Sequence, residues 1–243
     1  MIRLISLLGL FASVLLTGGA SAQAPAVGTD LALDELTTSS VLRTAILLGL
    51  IAVVPTVFIC TTAFIRIVVV LAMVRHAFGM PETPPNQVLI ALGVFLTAYV
   101  MGPTFVEMNQ IALQPLLAGN LDIGEALQLA SGPLRDFMLS QVRDQDIAAM
   151  YAVTNTPLPS TPEEVDIFKL VPAFIINELR VAFTIGFVIL LPFLLIDLVV
   201  ASILLSLGMM MVPPITISLP IKVLMFVLID GWVLVIEGVL GGF

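Results

Sequence analysis

Apolar residues gather in long blocks along this chain, with one acidic stretch between them. The first block runs from Val41 to Val74. As a helix it would be about 50 Å long, well beyond a hydrocarbon core of about 30 Å. Pro55 stands near its middle and Arg66 towards its end. The block is therefore expected either to tilt and kink at Pro55 or to stand partly clear of lipid. A turn follows from Arg75 to Gln87, punctuated by Gly79, Pro81, Pro84 and Pro85. Val88 to Val106 then reads as an ordinary span, and residues 41–106 together predict an N-terminal helical hairpin.

Residues 107–170 change character, with nine acids against three bases. Two helix starts are legible. Asp122 with Glu125 fits an N-cap followed by an acid three residues on. Thr161-Pro162-Glu163-Glu164 fits an N-cap with proline in the first turn. Leu127, Leu134, Phe137, Met138 and Val142 suit one buried stripe. These features predict a small acidic helical domain outside the bilayer. Residues 171–243 are apolar again, but Glu178, Arg180, Pro192, Asp197, Gly208, Pro213, Pro214, Pro220, Lys222 and Asp230 interrupt them. A second, C-terminal helical hairpin is expected there, with its tip at Gly208 to Pro214. The fold class is thus an all-α membrane protein, two long helical hairpins flanking a helical domain.

The charges in the last block restrict that picture. An ionised side chain at the bilayer centre costs at least about 2.5–3.5 kcal/mol, so Asp197, Lys222 and Asp230 should face protein or water. Asp197 lies 11 residues before Gly208, and Lys222 eight after Pro214. The two are about 16 and 12 Å from the tip, close enough in height to form an ion pair, within one subunit or between two. The other reading has Lys222 snorkelling to an interface unpaired. Glu178 is too far up the hairpin to join, and its partner is not legible. Arg66, Glu178, Asp197 and Lys222 are accordingly assigned structural or interface roles.

The first residues read as a targeting segment. Arg3 is followed by the apolar stretch Leu4 to Leu16, and Ala20-Ser21-Ala22 predicts cleavage between Ala22 and Gln23. An uncleaved first helix is the alternative. Residues 23–40 would be a flexible periplasmic lead-in. Arg66, Arg75 and His76 place the first turn in the cytoplasm, and the acidic domain in the periplasm.

Composition narrows the chemistry. The 243 residues are 59% hydrophobic and only 11% charged, against about 25% charged in ordinary soluble domains. The net charge of −8 disfavours nucleic acid as a partner. A single cysteine, Cys60, and a single histidine, His76, exclude a disulfide framework and the usual metal sites. No catalytic motif or phosphate loop occurs, so neither an enzyme nor a cofactor is expected. The unusual feature is Gly208-Met209-Met210-Met211-Val212-Pro213-Pro214. Gly208, Pro213 and Pro214 set the geometry of a turn that ends a regular helix. Its three methionines suit a buried apolar turn, or else a flexible apolar lip that repacks around many shapes.

Five separated stretches carry a resemblance. They are Pro84-Pro85-Asn86-Gln87-Val88-Leu89, Pro133-Leu134-Arg135-Asp136-Phe137-Met138, Pro192-Phe193-Leu194-Leu195-Ile196-Asp197-Leu198-Val199, the Gly208 to Pro214 segment, and Asp230-Gly231-Trp232. With these the chain resembles the flagellar biosynthetic protein FliP family, core subunits of the type III secretion export gate. One departure is Ile65 before Arg66, where the family often carries a hydroxyl residue. The resemblance implies a pentamer of this chain, joined by two other small membrane proteins in a helical cone raised partly out of the membrane. It implies a place in the inner membrane, at the flagellar basal body, among other export-apparatus proteins. Unfolded flagellar proteins would pass through, and Met209, Met210 and Met211 would form the pore gasket. The expected alternatives are the equivalent subunit of a virulence-type secretion system and a small-solute secondary transporter.

Overall fold

The computed structural model describes residues 44–45, 48–49, 52–79 and 83–243, and every regular element among them is helical. The proposed cleavage site at Ala22 and Gln23, the lead-in 23–40 and the start of the first block lie outside the described residues. Residues 51–243 form one unit.

Helix α1 (Ala52–Thr61) meets α2 (Phe64–Ala77) at a bend of 76°. The break falls at Thr62 and Ala63, not at Pro55, which lies within α1. The threonine hydroxyls account for this. Thr61 Oγ1 donates to the Val57 carbonyl at 2.8 Å and Thr62 Oγ1 to that of Phe58 at 2.7 Å. The Phe64 N–H then turns to Thr62 Oγ1 at 3.4 Å. Side chains have replaced part of the ladder, a recognised cause of helix bending.

The second apolar run is also broken. Helices α3 (Asn86–Val100) and α4 (Gly102–Leu117) meet at 64° around Met101. Pro103 stands in the first turn of α4 and has no N–H to continue the ladder from α3. The expected single span over 88–106 is thus two segments at an angle. α3 lies close against α2, where a Cβ on Gly93 would come within 2.8 Å of Val68.

In the acidic segment, α5 (Ile123–Gln141) starts where the sequence indicates. Asp122 Oδ2 accepts from the Gly124 N–H, and Glu125 Oε2 accepts from the Asp122 N–H, each at 3.4 Å. Its buried line differs from expectation. Met138 and Val142 are buried and Leu134 and Phe137 half-buried, but Leu127 is exposed. Ala126, one position earlier, faces inward instead. Helix α6 (Asp144–Val153) follows, with Asp144 and Asp146 in its first turn, where the helix dipole favours acids.

Thr161 does not cap a helix. Pro162–Glu164 makes one 3₁₀ turn, and the chain leaves it extended at Val165. Burying Val165 beside Tyr151 and Met138 requires that excursion. α7 (Ile167–Ser206) begins only afterwards, capped by Asp166, whose Oδ1 accepts from Phe168 N at 3.0 Å. It runs 40 residues through Pro172 and Pro192 without ending. The acidic segment and the last apolar block therefore share one helix instead of dividing at residue 170. α8 (Ile215–Leu228) and α9 (Gly231–Leu240) complete the chain and meet at 68°.

α7 organises the rest. Ala182 and Phe193 pack with Ile67, Val70, Leu71 and Val74 of α2, Phe226 of α8, and Val235 and Val239 of α9. Farther up, Leu170, Ala173 and Phe174 pack with Met138, Val142 and Tyr151. At 1.5 Å per residue α7 is about 60 Å long, twice a hydrocarbon core. Only 17% of its most apolar stretch is buried within the chain. It is the one described helix long and apolar enough to cross a membrane alone, and the three bent pairs qualify only as broken spans.

Candidate functional site

α7 ends in a Schellman turn. Gly208 adopts φ +74°, a region glycine enters without steric cost. Its N–H donates to the Leu205 carbonyl at 3.1 Å, and the Met209 N–H to that of Leu204 at 2.9 Å. On the far side Pro213 and Pro214 lead into α8. Thr216 Oγ1 donates to the Pro213 carbonyl at 2.8 Å, and the Ser218 N–H to that of Pro214 at 2.9 Å. The short loop between is thus braced at both ends. Its methionines point outward: Met209 is 43% exposed, Met210 81% and Met211 96%.

Beneath the loop lies a cavity of about 370 Å³, walled by Phe193, Leu194, Ala201, Pro214 and Ile215 and bordered by Asp197 and Lys222. Lys222 is buried. Its Nζ donates to Asp197 Oδ2 at 2.6 Å and to the Ala77 carbonyl at 3.0 Å. The pairing suggested by residue spacing is therefore present, within one chain. The second contact was not legible. Ala77 ends α2, so the ammonium also sits at a helix C-terminus, where a cation is favoured. Asp197 remains 42% exposed, so one end of the pair is screened and its strength is nearer that of a surface bridge. His76, itself exposed in the last turn of α2, lines the same cavity. Asp230 stands in the left-handed region, φ 53°, at the exposed joint of α8 and α9.

A second polar cluster lies in the interior. Arg66 is 1% exposed and Glu178 fully buried. Arg66 Nε donates to Glu178 Oε2 at 2.9 Å, and a second guanidinium nitrogen donates to Oε1, so the pair is bidentate. The remaining donors reach the Gly242 carbonyl at 2.7 Å and Gln141 Oε1 at 3.1 Å. The Phe243 ring covers the guanidinium, 3.8 Å from its centroid. Arg66 is the partner of Glu178 that the sequence did not reveal. The two are 112 residues apart, and the only signal in the sequence is that each is a charge of opposite sign within an apolar stretch of its helix. Nearby, Arg180 makes two bonds of 2.7 Å to Asp146, fastening α6 to α7.

The five motif stretches lie on α3, α5, α7, the methionine loop and the α8–α9 joint. A family model described as the FliP family matches residues 47–239. The chain belongs to the FliP family. It is 46% identical over 232 residues to the flagellar biosynthetic protein FliP of Caulobacter vibrioides, covering 96% of this chain and 87% of that protein. The Bacillus subtilis protein of the same name is 44% identical, covering 86% of this chain and 95% of its own length. The Rhizobium meliloti protein is 40% identical, covering 96% and 97%. The chain is therefore a membrane component of the flagellar export gate, serving protein transport and flagellum biogenesis.

Proposed function

We propose that the chain is a pore-forming subunit of this gate, passing unfolded flagellar proteins across the inner membrane, with Met209, Met210 and Met211 as its gasket. One observation carries the reading: Met211 is the most exposed large apolar side chain among the described residues, at the tip of a loop braced on both sides. An isolated membrane protein gains little by holding three thioethers outward on a fixed turn. A ring of such loops around one axis forms a soft apolar plug that closes an empty pore and yields to a passing chain.

The length of α7 supports the same arrangement. A helix of about 60 Å cannot bury its apolar surface in a layer of about 30 Å. Neighbouring copies in a pentamer, with the other small gate subunits, cover the remainder. In this reading the turn near residues 75–87 faces the cytoplasm and the acidic helices α5 and α6 face the periplasm. α2 with α3, and α7 with α8, are the two hairpins of the cone. Asp197, Lys222, Arg66 and Glu178 keep those hairpins in register. The test is the native mass of the gently extracted complex. A stable pentamer carrying other gate subunits supports the reading, and a monomer that binds a small solute overturns it.

A further inference from the structure

Arg66 receives more than an ion pair requires. Glu178 supplies two acceptors and Gln141, at the end of α5, a third. Two further contacts come from residues that follow α9. The Gly242 carbonyl accepts from Nη1 at 2.7 Å, and the Phe243 ring lies over the guanidinium. The approach is tight, since a Cβ on Gly242 would stand 3.1 Å from Nη1. All of this lies within one chain, around a side chain that is already 1% exposed. Neighbouring copies add cover to such a side chain and do not remove it.

The shape of α9 brings those residues there. At Asp230 the chain turns through 68° with φ 53°, a conformation disfavoured outside glycine that persists where the surroundings fix it. Gly231 lies against the Phe226 ring, which a Cβ would overlap. Val235 and Val239 then bury one face of α9 in the core it shares with α2 and α7. Past α9, Phe243 stacks on Phe137 of α5 with centroids 6.3 Å apart. The end of α5 is also fastened to α7, where Asn177 Nδ2 donates to the Gln141 carbonyl at 2.8 Å. Residues 242–243 thus join α2, through Arg66, to α5, through Phe137.

We propose that α9 is a clasp, bent back at Asp230 and latched on Arg66, with Phe243 as the positioning residue that closes it. The latch holds the acidic helix α5, the first apolar hairpin and α7 as one body. Its chemistry is specific. A desolvated guanidinium is attracted by the face of an aromatic ring, which an aliphatic side chain cannot supply. If Phe243 served only to pack on Phe137, it would act the same whether or not a guanidinium lay beneath it. The clasp depends neither on the methionine loop nor on assembly.

Amide hydrogen exchange of the whole chain in detergent micelles tests it. Phe243→Leu should speed exchange about tenfold in α9 and in the last turn of α5, and leave α6 unchanged. Phe243→Tyr keeps the ring face and should retain wild-type protection. The leucine change is then repeated on the Arg66→Met, Glu178→Leu background, which has no guanidinium to cover. There it should have little further effect. Wild-type protection in Phe243→Leu overturns the clasp. So does an equal loss in both backgrounds, which would make Phe243 an ordinary packing residue, or a loss confined to α5 that spares α9. Should the doubly substituted background fail to fold, the tyrosine variant decides: one as poorly protected as the leucine variant refutes the latch, and one protected like the wild type supports it.

Discussion

Replacing Glu178 with leucine gives the clearest energetic test of the interior. The carboxylate is fully buried and takes two bonds from Arg66, itself 1% exposed. Without it, the guanidinium keeps only neutral acceptors, Gln141 and the Gly242 carbonyl, plus the face of Phe243. Leaving one member of a buried pair uncompensated costs about 3–5 kcal/mol. Glu178→Leu should therefore lose most of that amount. Arg66→Met should lose a similar amount, because it strands the carboxylate. The double variant removes both charges and keeps apolar volume, so it should recover most of the loss. The three form a double-mutant cycle in which the double variant costs less than either single one, so the coupling exceeds either single loss and lies above about 3 kcal/mol. Unfolding by denaturant in detergent micelles measures all of them. If each single variant cost under about 1 kcal/mol, or if the double loss equalled the sum, the pair would not be the buried unit described.

The second ion pair predicts an asymmetry. Asp197→Asn leaves a buried ammonium without its anion, whereas Lys222→Met leaves a carboxylate that is already 42% exposed to solvent. The aspartate change should lower assembled complex by more than the lysine change, which a comparison of co-purified yields would read. The reverse order would place the burial at the wrong end of the pair. At Gly186, an added Cβ would overlap the Met73 sulfur and lie 3.2 Å from its Cβ. Gly186→Ala should cost about 1–3 kcal/mol by forcing α2 from α7, and Met73→Ala should restore part of the loss. An unchanged thermal midpoint for Gly186→Ala would refute the close approach. Asp146→Asn should loosen α6 from α7, since Arg180 makes both its short bonds there. Faster hydrogen exchange confined to α6 is the expected sign, and unaltered exchange would count against it.

Local chemistry was the most legible part of the fold. The capping box at Asp122 and Glu125 formed as read, because all its groups lie within four residues. The same pattern at Thr161 failed because Val165, four residues on, is drawn into the core and pulls the chain extended. Proline was an uncertain guide. Pro55, Pro172 and Pro192 sit inside helices, while the bends occur at Thr62, at Met101 beside Pro103, and at the α8–α9 joint by Asp230. Thr61 and Thr62 supply the hydroxyls that bend the helix, a weaker local signal in the sequence than the ring of Pro55. Spacing placed Asp197 near Lys222 because both lie close to one turn. The Arg66–Glu178 contact joins distant helices and depends on how α2 packs along α7, which no local pattern encodes.

The central claim is that the methionine loop closes a protein-conducting pore, and ion conductance of membranes carrying the assembled Met209→Gly, Met210→Gly, Met211→Gly variant tests it most directly. Co-purification of the other gate subunits first establishes that the variant assembles. The account predicts a gate that assembles normally but leaks ions at rest, while the wild-type gate stays closed. An assembled triple variant with an intact permeability barrier would contradict it.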